Sequence, residues 1–148
     1  MATNISHRET YQAGATIIRE DTPSEAAYLI ETGEVAVLKD YEGKKVLVVT
    51  LSAGDVFGEM GVLGRLPHTA TVRAKTEVRL AIINKRNFLA EFDKMSEQHR
   101  ALILALITRL RVTTEKLAKL TVQIHQLKAY ADTLAERVQP GDTEQTRS

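Results

Sequence analysis

The sequence predicts a mainly β protein with a helical C-terminal third: a barrel or sandwich of short strands, then one long helix. Short runs of β-branched and apolar residues recur through the first two-thirds, each bounded by glycine or polar turns. From Lys85 onward, glycine is absent until Gly141 and proline until Pro140, and strong helix formers dominate. One apolar stripe, stepping alternately by three and four, runs from Ile103 to Val138.

The elements follow in order. The opening MATNISHRET is polar and lacks the apolar centre of a secretory leader. Strands are predicted at Thr16–Arg19 and Ala27–Glu31, then at Glu34–Leu38 after a tight turn at Thr32-Gly33. A turn at Tyr41–Gly43 leads to Lys44–Leu51, and a second at Ser52–Asp55 leads into Val56-Phe57. Ala70–Ala74 and Val78–Ile83 complete the set. The rest is helical, with a break near Asp93–Glu97 separating a short helix from a long one. This divides the chain into a β domain with short flanking helices (1–95), a long helix (96–138) and a polar, frayed tail (139–148).

The stripe comprises Ile103, Leu106, Leu110, Thr113, Leu117, Leu120, Ile124, Leu127, Ala131, Leu134 and Val138. All but Thr113 and Ala131 are large aliphatics, so the pattern reads as a coiled-coil seam over five heptads. Its length, roughly 50 Å at ~1.5 Å per residue, exceeds what a small β domain covers. A helix lying along its own domain is the alternative reading. The flanking positions carry few opposite charges, so self-pairing into a homodimer is the simplest expectation.

Composition narrows the function. At 148 residues with 43% hydrophobic and 26% charged content, the chain is globular and large enough for a core. A net charge of +1 gives no reason to expect a polyanion partner. The absence of cysteine excludes disulfides, thiolate metal sites and cysteine nucleophiles. The longest aliphatic run, Ala101–Ile107, is too short to cross a bilayer, and a cytoplasmic protein is expected. His7, His99 and His125 form no metal-ligand spacing, and no serine–histidine–acid or Walker pattern occurs. No enzyme, metal or resident cofactor is expected.

The informative stretch is GDVFGEMGVLGRLPHTATVRA, Gly54 to Ala74. Gly58 admits close approach to the backbone. Glu59–Leu63 suits a single helical turn whose free N–H groups can cradle a phosphate. A carboxylate there does not bind phosphate, but it accepts a hydrogen bond from a sugar hydroxyl, which makes Glu59 the candidate for holding a ribose. A helix-start charge without any ligand is the competing reading.

This segment resembles the phosphate-binding cassette of the cyclic-nucleotide-binding domain family, in which Phe-Gly-Glu-(Leu/Met) is followed by Arg-(Ser/Thr/Ala)-Ala. The likeness runs from Tyr11 to about Leu117 and takes in QAGATIIRED and YLIETGEVAVL. VRAKT (72–76) and RLRVTTEK (109–116) resemble the catabolite-activator branch in particular. The resemblance implies an eight-stranded β-roll (a jelly roll or double-stranded β-helix), a pocket for cyclic AMP or cyclic GMP, and a long dimerising helix. It implies that Gly58 and Glu59 contact ribose and phosphate, with Phe57 and Met60 beside them. Thr69 and Ala70 would flank the phosphate, and Thr113 and Thr114 would reach the base, one of them across the dimer. Thr113 also interrupts the aliphatic stripe, and a buried hydroxyl needs a partner. Setting register or bonding its own helix are its other readings.

The family's arginine position holds His68. Arginine offers a permanent charge and a two-pronged donor, whereas histidine near its usual pKa is mostly neutral at pH 7. Losing a charge-assisted hydrogen bond costs about 1.5–3 kcal/mol, or one to two decades of affinity. Three readings follow: the pocket binds a cyclic nucleotide through amides with His68 or Arg65; its ligand has changed; or it is vestigial and the chain is a dimeric scaffold. The first is preferred, and it predicts tighter binding as pH falls. Ten residues follow Val138, too few for a helix-turn-helix, so the expected partner is a protein, with neither direct DNA contact nor a membrane.

Overall fold

A computed structural model of the protein describes residues 5–138. In chain order the elements are β1 (His7–Tyr11), β2 (Thr16–Ile18), β3 (Ala26–Thr32), β4 (Val35–Tyr41), β5 (Lys44–Leu51), β6 (Val56–Phe57), α1 (Glu59–Gly64), β7 (Thr71–Ala74), β8 (Val78–Asn84), α2 (Lys85–Asp93) and α3 (Glu97–Arg137). The strands form two four-stranded antiparallel sheets, ordered β1-β8-β3-β6 and β2-β7-β4-β5. This is the β-roll that the resemblance implies, with the long helix after it.

Ile30, Val78 and Leu80 from the first sheet and Ile18, Val35 and Val72 from the second form one buried cluster. The β3–β4 turn depends on Gly33. Its φ is +88°, and a Cβ there would lie 2.2 Å from the Glu77 carbonyl oxygen. No other residue fits without moving the backbone.

One strand escapes the sequence pattern. β1 begins within the stretch taken as polar and ends one residue after it, and four of its five residues are exposed. It is an edge strand on β8, held by main-chain pairing and by Arg8 bonded to Glu31 at 2.8 Å, so no apolar alternation marks it. The helical breaks, by contrast, stand where the caps dictate. Asn84 accepts from the Asn87 amide at the start of α2, and Ser96 accepts from the His99 amide at the start of α3.

Helix α3 is 41 residues long, about 60 Å. It packs on the roll through Ile107, Ala118 and Val122, which are buried. The stripe lies on a different face, and Leu106, Leu117, Leu120, Ile124 and Leu127 are open to solvent. From Gln123 to Val138 every residue is exposed. Helix α3 therefore rests on its own domain through one face and leaves the seam uncovered. The tail assigned to 139–148 lies outside the described residues.

Candidate functional site

A cavity of about 190 Å³ opens between the second sheet, α1 and α3. The local chain geometry makes it. Gly58 caps α1 with φ +80°, and a Cβ there would sit 2.9 Å from the Ala26 carbonyl oxygen. The turn thus requires glycine whether or not a ligand is present. At Gly61 a Cβ would fall 2.7 Å from Ser24, so α1 can press against the loop before β3 only because that residue is glycine. Phe57 forms a wall of the cavity and stacks on Tyr28, with ring centroids 5.0 Å apart and planes 7° from parallel.

Of the residues expected in the site, Phe57, Gly58, Glu59, Met60, His68, Thr69, Ala70 and Thr114 line this cavity. Arg65 and Thr113 do not. Arg65 ends α1 in a left-handed conformation (φ 51°) and is exposed. Thr113 faces outward on the open seam, with its hydroxyl donating to the Arg109 carbonyl at 2.8 Å. Thr114 likewise bonds its own helix, at the Leu110 carbonyl, 2.8 Å away.

Sequence reasoning missed the apolar walls: Ile18, Val37, Val49, Leu51, Val56, Val72 and Leu110. Spacing by two in Val35/Val37 and Val49/Leu51 is the inward alternation of a half-buried strand, and that signal could have found them.

The electrostatics are unusual for an anion site. No lysine or arginine is among the residues lining the cavity. Glu59 lies among apolar walls, and burial pushes its carboxyl above the usual value, partly offset by its own backbone N–H. His68 is buried, and desolvation lowers its pKa below the ordinary 6.5. Its backbone is clamped on both sides: its amide donates to the Thr22 carbonyl at 2.9 Å, and its carbonyl accepts from the Asp21 amide at 2.8 Å. Lys39 lies behind the wall, where its Nζ donates to the Thr69 carbonyl at 2.6 Å and pairs with Glu20 at 2.7 Å. Among the described residues no group of His, Asp or Glu could hold a metal ion. No described helix is long and apolar enough to cross a membrane.

The family model for the cyclic nucleotide-binding domain matches residues 8–95, more than half the chain. The chain belongs to the cyclic nucleotide-binding domain family. It is 34% identical over 116 residues to the cAMP-activated global transcriptional regulator CRP of Escherichia coli, an alignment covering 77% of this chain and 55% of that protein. It is 44% identical over 95 residues to the cAMP-dependent protein kinase regulatory subunit of Schizosaccharomyces pombe, covering 62% of this chain and 22% of that one. Among solved structures, the cAMP-bound form of the EAL enzyme Bd1971 superposes with TM-score 0.67 at 29% identity, over 81% of this chain and 32% of its own. The chain thus spans about half or less of the length of the curated relatives it matches, and those relatives are regulatory proteins. In this cyclic nucleotide-binding domain, the cassette and α3 share one cavity, so a molecule resting on Glu59 and Thr69 also meets Leu110 and Thr114.

Proposed function

We propose that the protein is a ligand-gated regulatory homodimer that binds a cyclic nucleotide between cassette and helix and passes the signal to a protein partner. One observation carries this reading: Leu110 belongs both to the exposed seam of α3 and to the cavity wall that contains Glu59 and Thr69. A ligand that shifts Leu110 shifts the surface through which two copies would pair. Glu59 accepts the ribose hydroxyl, Thr69 and Ala70 flank the phosphate, and Thr114 meets the base from its own α3. Thr113 faces away from this cavity, and in a paired dimer it would serve the second copy's site. Arg65, at the far end of α1, is left out of the contact set. The exposed aliphatic seam on α3 supports signalling through protein contacts.

A constitutive scaffold is the second reading. It is favoured by the stretch after Val122, where seam residues continue beyond any contact with the roll. Thermal unfolding with cyclic AMP and cyclic GMP separates the two. A true ligand at a hundred times its Kd stabilises the fold by about 2.7 kcal/mol, a shift of several degrees. Glu59→Ala should remove that shift. Unchanged melting of the unmodified protein at millimolar nucleotide would leave the scaffold.

A further inference from the structure

The cavity that the preceding reading takes as the ligand site holds no fixed positive charge. The neighbouring cations are placed elsewhere. Lys39 is engaged by Glu20 and the Thr69 carbonyl. Arg65 points from the end of α1 into solvent. Arg111 lines the adjoining hollow, and its guanidinium lies against Gly64, 3.2 Å from where a Cβ would stand. What faces the ligand is one carboxylate, one imidazole, two threonines, main-chain groups and aliphatic walls.

We infer that this cavity takes an uncharged ribonucleoside at least as tightly as it takes a 3′,5′-cyclic nucleotide. Three physical arguments converge. Moving an anion from water to an aliphatic cavity without a paired cation is costly, whereas a neutral sugar incurs only the smaller desolvation of its hydroxyls, which hydrogen bonds offset. The 2′,3′-diol of a free nucleoside presents two donors to the two oxygens of Glu59. In the cyclic nucleotide the 3′ oxygen is esterified, leaving one. A neutral imidazole offers one donor and one acceptor, which complements a 5′-hydroxyl, while a phosphate oxygen needs donors only. Burial of His68, which favours its uncharged form, acts in the same direction.

Isothermal titration of the full chain at pH 7.5 tests this, using adenosine and guanosine beside their 3′,5′-cyclic monophosphates. The nucleosides should bind with Kd values equal to or below those of the cyclic forms. His68→Arg should move the ratio of the two Kd values toward the cyclic form by roughly 10- to 100-fold. Adenosine should bind about tenfold more tightly than 3′-deoxyadenosine. Equal affinities in that pair would overturn the diol contact. Cyclic forms binding tenfold or more tightly in the unmodified protein would overturn the inference and leave the site itself standing. If neither class bound the unmodified protein or His68→Arg, the reading of the cavity as a ligand site would fall with it.

Discussion

The roll and the free half of α3 contain the same kinds of aliphatic residue and use them in opposite ways. Ile30 and Leu80 are 1% and 0% exposed, while Ile124 and Leu127 are 64% and 67% exposed. Fully burying such a side chain stabilises by roughly 1.5–3 kcal/mol. The roll obtains that within one chain; the seam obtains it only against another surface. Stability and assembly are therefore separable here, and the cavity lies where the two meet.

The largest effect should come from breaking the satisfied region. Leu80→Ala removes a side chain with no exposed surface and should cost about 2–5 kcal/mol, read by urea denaturation of the whole chain. A loss below 1 kcal/mol would mean the roll core tolerates collapse, and the contrast with the seam would fade.

The second test breaks the unsatisfied region. Leu120→Glu combined with Leu127→Glu places two charges on the seam without touching any contact with the roll. If the seam pairs two copies, burying those charges costs several kcal/mol, and light scattering behind a sizing column should report half the original mass. The urea midpoint of the roll itself should stay close to that of the separated protomer. An unmodified protein that already runs at the mass of one chain would remove the dimer from the account.

The same contrast governs what could be read from the sequence. Strands rich in β-branched and aliphatic residues, such as β5 at Lys44–Leu51, announce themselves by composition and turns, and that span is reproduced to the residue. β1 gives no such sign, because its pairing is made by the main chain and its side chains meet water. The start of α2 was legible from composition, and the structure adds its cause: Asn84 and Ser96 cap α2 and α3 through their own side chains. In the site, the cassette was legible as a run of consecutive residues, whereas Ile18, Val37, Val49, Leu51 and Leu110 of the walls come from β2, β4, β5 and α3. Those segments are brought together only by tertiary folding. Arg65 was singled out for closeness in sequence, but the left-handed turn that ends α1 carries it away from the cavity. Thr113 and Thr114 are adjacent in sequence, yet a 100° step around the helix puts them on different faces.

The smallest effect sharpens the comparison at the cavity. His68 is buried, and desolvation holds its folded-state pKa below 6.5. Its neutral form is thus the one the fold prefers. The stability it confers is complete above pH 6.5 and is lost as pH falls from there through the folded-state value, with a slope of at most about 1.4 kcal/mol per pH unit. Glu59 acts in the opposite sense: its carboxyl, raised above 4.5, adds stability at acid pH that is lost as pH rises through its folded-state value. Comparing the unmodified protein with His68→Gln isolates the histidine, because Glu59 is present in both. Urea midpoints measured between pH 7.5 and 5.5 should fall more steeply for the unmodified protein, since glutamine takes up no proton. Parallel slopes would show that the imidazole reaches water freely, and the case for a cavity without positive charge at neutral pH would lose its histidine. A steeper slope relieved by cyclic AMP, but not by adenosine, would place the phosphate beside the protonated ring. Acid would then be the condition under which the cyclic nucleotide gains on the nucleoside.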